Sequence, residues 1–322
     1  MILLLRRSVN LILALTVIAL LPTVFFAYTL LKPVAPQTVE LDFPDATTLS
    51  FFALGDQGVG NLRQWQVADA MERQAGLDSV QGVLLLGDNF YRYGVSTVTD
   101  WQWRYKFEHV YTGSLSAIAF FATLGNHDYY GNELAQISYD AKNLGSGRWQ
   151  MPARDYVRHF GQQLGREGEQ ALVRIVFVDT GLWLRSPIDA TTVLDQLLAT
   201  ANAAQWTVVV THTPLISGNT LDTQPIAHEL WQPVLESHGV DLLLSGHDHN
   251  MQYLQRDGWP AQAIIGVGGK SGQTLDSDEV PGLEFYASET GFGRMVVTAE
   301  ELVLQYYNSE EALLFESRLL AD

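Results

Sequence analysis

The sequence predicts an α/β fold with largely parallel central strands, and three observations support this. Short apolar runs end in glycine, as buried strands often do before a polar turn. Helical stretches separate several of these runs, and such alternation is typical of parallel sheets. The composition agrees, because 47% of the 322 residues are apolar and 17% are charged, which favours a buried core over disorder.

The predicted elements follow one another along the chain. The strands expected at the centre are Leu49–Leu54, Val80–Leu86, Ile118–Leu124, Leu172–Val178, Trp206–Val210 and Val240–Leu244. The helices expected between them are Leu62–Ala75, Asp189–Ala201 and Ile226–Ser237. The later strands Ala263–Val267, Arg294–Thr298 and Leu302–Tyr307 have no helix between them. They therefore predict a second, more antiparallel part of the same domain.

The N-terminus predicts a membrane segment. Arg6 and Arg7 precede Val9–Leu31, a run of 23 uncharged residues. As a helix this run would reach roughly 35 Å, which is enough to cross a bilayer core. Arginines on the N-terminal side are expected to stay in the cytoplasm, so the rest of the chain would be exported.

This interpretation divides the chain into four parts. Residues 1–7 are a cytoplasmic stub, and residues 8–31 are an uncleaved, single-pass signal anchor. The alternative is a cleaved signal peptide, which would leave a secreted or periplasmic protein. Residues 32–46 contain three prolines and are interpreted as a linker, and residues 47–322 as one folded domain.

The net charge and the absence of cysteine disfavour some kinds of partner and exclude some kinds of site. The formal net charge is −17, which disfavours nucleic acid as a partner because binding a polyanion requires clustered Lys and Arg. The chain has no cysteine, so disulfides and thiolate metal sites are excluded.

Five predicted strands end in a short polar signature. These signatures are GDQG (55–58), GDNFY (87–91), GNHDYYGN (125–132), THTP (211–214) and GHDHN (246–250). In open α/β sheets, ligands bind outside the carboxyl ends of the strands. The signatures are therefore expected to deliver their polar side chains to one edge.

The side chains at this edge are the kinds that bind hard or borderline metal ions. The candidates are Asp56, Asp88, Asn126, His127, His212, His247 and His249. A single Gly-Asp is often just a turn, but carboxylate, amide oxygen and imidazole together suit Fe, Zn, Mn or Mg. The set is too large for one ion with an open position, so two ions are expected, with the Asp88 carboxylate as the natural bridge.

In this order, GD-x-G, GDNFY, GNHD, H-x-P and GHDH resemble the calcineurin-like metallophosphoesterases. More narrowly, they look like the purple acid phosphatases of the small tartrate-resistant type, over roughly residues 48–310. FEHVY (107–111) and Ala135–Phe160 continue the resemblance. It implies a four-layer α/β/β/α sandwich with two mixed β-sheets, and makes residues 47–322 the catalytic domain.

The resemblance also implies a ligand set. Many metallophosphoesterases begin with D-x-H, but this chain has Gly58 where that histidine would stand. Purple phosphatases use a tyrosinate instead, and Tyr91 occupies the matching place. The first metal would be Fe(III), held by Asp56, Tyr91 and His249. The second would be Fe, Zn or Mn, held by Asn126, His212 and His247, with Asp88 bridging both. Tyr91 as an ordinary packed aromatic would leave the first ion one ligand short.

The expected activity is that of an acid phosphatase acting on small phosphate monoesters through attack of a metal-bound hydroxide on phosphorus. Asn126 and His127 are the expected substrate contacts, and His127 is the candidate proton donor to the leaving group. His127 could instead position a metal ligand. The alternatives are a phosphodiesterase or nucleotide hydrolase of the same fold, and a non-catalytic, membrane-tethered metal-binding or sensor protein.

One departure from the mammalian-type pattern stands out. That pattern has a second histidine soon after G-H-x-P, whereas THTPLISGNTLD is followed by no histidine before His228. The second proton donor or phosphate contact is therefore left open.

Overall fold

The computed structural model describes residue 21 and residues 23–161, 170–182, 186–200, 204–219, 225–276 and 279–321. In spatial order, the first sheet contains β14 (Leu313–Leu320), β13 (Glu301–Asn308), β12 (Gly291–Val297), β1 (Leu49–Leu54), β2 (Gly82–Leu85), β3 (Ala119–Ala122) and β4 (Trp149–Gln150). The second contains β11 (Leu283–Ala287), β9 (Met251–Leu254), β10 (Ala261–Ile265), β8 (Leu242–Ser245), β7 (Ala204–Val210), β6 (Ala171–Phe177) and β5 (Tyr156–Phe160).

Both sheets are mixed, with a parallel centre. Strands β1 to β4 run parallel, as do β6, β7, β8 and β10. Besides the N-terminal helical residues 23–31, the described α-helices are α1 (Leu62–Ala75), α2 (Leu134–Ala141), α3 (Pro187–Thr200) and α4 (Pro225–Ser237). The predicted α/β class with two mixed sheets is confirmed.

Successive side chains of the central strands alternate between two hydrophobic cores, and this alternation stacks the sheets and helices in layers. In β7, Val208 and Val210 belong to the large core that contains the apolar residues of the first sheet. Val209 between them belongs to a second core with Leu194 of α3 and Trp231 of α4. Successive side chains of a strand point to opposite faces, so the second sheet packs on the first with one face and on helices with the other.

The later strands do not form a part of their own, contrary to the sequence-based expectation. Strand β10 pairs in parallel with β8 inside the second sheet. Strands β12 and β13 extend the first sheet beyond β1 in antiparallel register. The interpretation was wrong because a missing crossover helix shows how strands are connected, and does not show which sheet they join.

The predicted membrane segment, residues 8–31, lies mostly outside the described residues. Within the part that is described, no helix is both long and apolar enough to span a bilayer. Residues 23–31 are helical and lie on the folded body, where the Phe26 ring packs 5.0 Å from the ring of Tyr105. The predicted linker has no helix or strand, and Phe43 within it packs against the large core.

A buried ion pair fastens the chain between β2 and β3 to the turn before β4. Arg148 Nη2 lies 3.2 Å from Glu108 Oε2, and both side chains are at most 2% exposed. Arg148 also donates to the carbonyls of Tyr111 and Leu115, while Glu108 accepts from the Ser146 N–H. The pair is therefore fully hydrogen-bonded, which a buried ion pair requires.

Replacing Arg148 with Met should destabilise the fold, because Glu108 would remain buried without its partner. We expect a loss of about 3–5 kcal/mol in the free energy of unfolding, measured by urea denaturation. Arg318→Met, which removes exposed ion pairs with Glu301 and Glu316, is the control and should leave the midpoint nearly unchanged. A wild-type midpoint for Arg148→Met would show that the pair contributes little.

Candidate metal centre

The polar strand ends of both sheets meet at one place. Seven side chains converge there and are called the donor cluster: Asp56, Asp88, Tyr91, Asn126, His212, His247 and His249. The first four follow β1, β2 and β3 of the first sheet, and the three histidines follow β7 and β8 of the second. The sequence predicted a single sheet edge, whereas the site lies between the edges of two sheets.

Backbone strain is concentrated on the donors themselves. Asp56, Asp88 and His247 all have positive φ, at 59°, 54° and 71°. This left-handed region is costly for residues other than glycine, by roughly 1–3 kcal/mol each. Hydrogen bonds hold the conformation, since the Asp56 N–H donates to the Gly87 carbonyl and Asp56 Oδ2 accepts from the His247 N–H at 2.7 Å.

Gly125 gives Asp88 the room that it occupies. A Cβ atom on Gly125 would lie 2.2 Å from both the backbone nitrogen and Oδ1 of Asp88. No side chain fits at that distance, so the glycine of GNHD is required by the close approach of two strand ends.

The first of two donor groups, the first triad, consists of Asp56, Tyr91 and His249. The Tyr91 hydroxyl lies 2.5 Å from Asp56 Oδ1 and 3.1 Å from His249 Nε2. His249 Nε2 lies 3.3 Å from the same Asp56 oxygen. The three donor atoms are therefore mutually close.

The second triad consists of Asn126, His212 and His247. Asn126 Oδ1 lies 3.1 Å from both His212 Nε2 and His247 Nδ1, and these two nitrogens are 3.2 Å apart. His212 Nδ1 lies 2.8 Å from the Leu86 carbonyl oxygen, which can accept a hydrogen bond but cannot donate one. His212 therefore carries its proton on Nδ1, and its Nε2 lone pair faces the other donors.

Asp88 lies beside both triads. Its Oδ1 atom is 3.5 Å from His212 Nε2, and its charge contributes to raising the pKa of the Tyr91 hydroxyl. Asp56, Asp88 and His212 are all buried, and each offers a ligand atom within 4.8 Å of the other two.

The spacing of these donors fits metal ions. Ligand atoms about 2.1 Å from a shared ion, at tetrahedral or octahedral angles, lie roughly 3.0–3.4 Å apart. Five of the six separations within the triads lie in this range. The sixth, between the Tyr91 hydroxyl and Asp56 Oδ1, is a shorter hydrogen bond of 2.5 Å. Carboxylate, phenol, amide oxygen and imidazole are also the donor types expected for Fe, Zn or Mn. Each triad could hold one ion.

The electrostatics of the protein alone keep the Tyr91 phenol neutral. Burial, followed by the charges of Asp56 and Asp88, raises its pKa far above its ordinary range. Burial also opposes ionisation of Asp56, but hydrogen bonding to His249 and the charges of His212 and His249 lower that pKa to about 2. A phenolate at this position therefore requires a bound cation.

His127 lies beside the cluster without belonging to either triad. Its backbone N–H donates to Asp88 Oδ1 at 2.8 Å, and its ring lies 4.4 Å from the Tyr91 ring. His127 Nδ1 is 2.8 Å from the Arg92 carbonyl and must donate to it, which leaves Nε2 for proton exchange.

Asp128 braces the turns that follow β2 and β3. It is fully buried and accepts from the backbone N–H groups of Asn89, Phe90 and Gly125. Burial and the charge of Asp88 raise its pKa to about 7. One side chain thus links the GDNFY and GNHD segments.

A buried amide network beneath GHDHN was not predicted. The Asn219 side-chain oxygen accepts from Asn250 Nδ2 at 2.9 Å and from Gln252 Nε2 at 3.0 Å. Gln273 Oε1 accepts the His249 N–H at 2.7 Å. Amides scattered through the sequence carry no motif, although the alternation N-x-Q at 250–252 places both side chains on one strand face.

Sequence reasoning also missed Lys270. Its Nζ atom lies 4.6 Å from the centre of the Tyr91 ring, in the segment that follows β10. The available signal was another strand that ends in glycine, since Gly268 and Gly269 precede this lysine.

Two histidines outside the donor cluster, His109 and His238, bind other partners. His109 Nε2 lies 3.1 Å from the Lys32 carbonyl, and His238 Nε2 lies 2.8 Å from Asp195 Oδ1. The side chain of His228 lies outside the described residues. The donor cluster thus takes only the histidines that follow strands.

Sequence comparisons place the chain among known hydrolases. Residues 51–251 match the family model for the calcineurin-like phosphoesterase domain. Tartrate-resistant acid phosphatase type 5 from Rattus norvegicus is 30% identical, over 85% of this chain and 91% of that protein. Purple acid phosphatase 4 from Arabidopsis thaliana is 28% identical, over 82% of this chain and 81% of that protein.

Solved structures share the fold. GAP50, described as the anchor in the inner membrane complex of Plasmodium, has a TM-score of 0.76 at 24% identity, over 86% of this chain and 90% of its own. Purple acid phosphatase PPD1 from Lupinus luteus seeds has a TM-score of 0.67 at 15% identity, over 87% of this chain and 55% of its own.

Proposed function

Since the chain belongs to the calcineurin-like phosphoesterase family and is a hydrolase of phosphoric ester bonds, we propose that it is an acid phosphatase that releases phosphate from small monoesters at a centre of two metal ions. The observation that carries the proposal is the division of the donor cluster into two triads with Asp88 beside both. The two-ion ligand set expected from the family resemblance has the same division.

We assign the first triad to Fe(III) and the second to Fe, Zn or Mn. A phenolate is a hard ligand that favours a highly charged ion, and only a cation can overcome the raised pKa of Tyr91. The second triad has imidazole and amide donors without a phenol, which suits a divalent ion. Asp88 lies beside both triads, and its carboxylate would serve as the ligand shared by the two ions.

Bound metal ions would neutralise phosphate charge and activate water as the nucleophile. The protein's own residues supply the rest. Asn126 and His127 contact the phosphate group, and His127 gives a proton from Nε2 to the leaving oxygen. Because Nδ1 already donates to the Arg92 carbonyl, His127 performs this step as the doubly protonated imidazolium.

We also propose that the folded domain is exported, either behind an N-terminal anchor or after cleavage of a signal peptide. The apolar run before residue 32 supports this placement. A non-catalytic role is the competing function, because the neighbour GAP50 is described as an anchor. All seven donors are retained and spaced for metal binding here, and this favours catalysis.

The first test is hydrolysis of p-nitrophenyl phosphate by the full chain in detergent, loaded with iron plus zinc or manganese. We expect turnover that Asp88→Asn reduces by at least about a thousandfold, since both ions lose a ligand. Bis(p-nitrophenyl) phosphate, measured in parallel, should be a poorer substrate. No turnover of either ester would favour the non-catalytic role, and faster diester turnover would favour a phosphodiesterase.

Tyr91→Phe tests the assignment of Fe(III). The iron-loaded protein should show a visible phenolate-to-iron absorption band, and this variant should lose the band and bind less iron because one hard ligand is gone. Tyr130→Phe is the control, since that ring packs near His127 and is 63% exposed. A band that persists in Tyr91→Phe would show that Tyr91 is not the ligand.

His127→Ala tests the proton donor through the leaving group. For alkyl phosphates, whose alkoxide needs a proton, kcat should fall about 10²–10⁴-fold. For p-nitrophenyl phosphate, whose leaving group departs as a stable anion, the fall should be much smaller. His238→Ala, which removes a histidine paired with Asp195, should leave kcat unchanged for both kinds of substrate. Equal losses on both substrates would indicate that the His127 ring positions Tyr91 and does not donate a proton.

A further inference from the structure

The segment after β10 places a lysine beside the first triad. The Gly268 N–H donates to the Gly55 carbonyl at 3.0 Å, and the Gly269 carbonyl accepts from Asn61 Nδ2 at 3.1 Å. These bonds hold the segment against the turn that carries Asp56. The Nζ atom of Lys270 then lies 4.6 Å from the centre of the Tyr91 ring.

Two lysines flank Tyr91, and they differ in what they bind. Lys106 donates to the Tyr91 carbonyl and to Gln102 Oε1, so its ammonium group is occupied by protein acceptors. Lys270 is half-buried, and within the described residues no carboxylate lies within ion-pair distance of it. Its contact there is with the face of an aromatic ring, which leaves its three N–H donors for another acceptor.

The segment that follows His212 of the second triad is described up to residue 219. The residues that follow His212 carry no positive side chain, and Ile216 and Gly218 donate their backbone N–H groups to the glutamines Gln262 and Gln252. The histidine that the mammalian-type pattern would place in this stretch is absent. Among the described residues, Lys270 is therefore the lysine beside the first triad that we expect to reach a phosphate group at the metal ions.

We propose that Lys270 binds a phosphoryl oxygen of the substrate and makes the site selective for dianionic monoesters over monoanionic diesters. This inference rests on the proposed function, because it concerns the same site. An ammonium group is a point charge with three rotatable donors, and it contributes more to a dianion than to a monoanion. A diester also replaces one of the charged oxygens with a second ester group, which an ammonium group binds weakly.

The test compares Lys270→Ala with Lys270→Arg, and uses Lys142→Ala as a matched control for loss of one positive charge. Lys142 is an exposed lysine at the end of α2. Two quantities are measured on the metal-loaded full chain: the affinity for inorganic phosphate by calorimetry, and the kcat and KM for mono- and bis(p-nitrophenyl) phosphate.

Lys270→Ala should weaken phosphate binding and raise the monoester KM by about ten- to a hundredfold, with diester kcat/KM changed less than about threefold. Lys270→Arg should restore most of the affinity, and Lys142→Ala should match the wild type. Unchanged phosphate affinity in Lys270→Ala would overturn the proposal. In that case, a shifted visible absorption band would show that the lysine acts on the Tyr91 phenolate.

The two proposals fail in different ways. A wild-type chain that binds phosphate but hydrolyses neither ester overturns the phosphatase function, and the affinities of the variants still decide the role of Lys270. If the wild type hydrolyses monoesters and Lys270→Ala keeps the wild-type phosphate affinity, only the proposed role of Lys270 is overturned. A wild-type chain with neither phosphate binding nor turnover overturns both.

Discussion

Two buried carboxylates between the edges of the sheets are the constraint on which the rest of the site depends. Asp56 and Asp88 are at most 1% exposed, and burying two negative charges so close together is costly unless positive charge compensates them. The protein supplies part of that compensation through the N–H groups of His247 and His127. Cations bound at the proposed centre would add further compensation, and metal binding would then be coupled to the stability of this region.

The same constraint explains why the fold builds the site from two sheets. One sheet edge delivers the acidic and phenolic donors, and the other delivers the histidines. Each sheet alone would hold an incomplete ligand set. The positive φ angles of Asp56, Asp88 and His247 turn the chain sharply at the strand ends, and Asp128 ties two of those turns together. The strained backbone conformations and the hydrogen bonds of Asp128 are thus found at the turns that position the donor atoms.

The sequence predicts features that depend on local pattern. The boundaries of β1 and α1 agree with the apolar runs because burial of a continuous strand and one helix face leaves a clear period. Two edge strands were missed. In β5, Arg158 and His159 interrupt the apolar run, and in β14 most side chains are partly exposed. Lys270 and the amides around Asn219 are brought to the site by long-range folding, which leaves no motif in the sequence.

Fold similarity alone does not determine what this protein does. GAP50 shares the architecture at a TM-score of 0.76 and is described as an anchor, so the sandwich does not by itself imply turnover. Catalysis is favoured here by the donor cluster and by the positive charge close to it. The chain carries a net charge of −17, yet surface charges are screened over about 8 Å at physiological salt. In the proposed complex, the bound ions and Lys270 would lie within that distance of the substrate, and their positive charge would let an acidic protein bind a phosphate dianion.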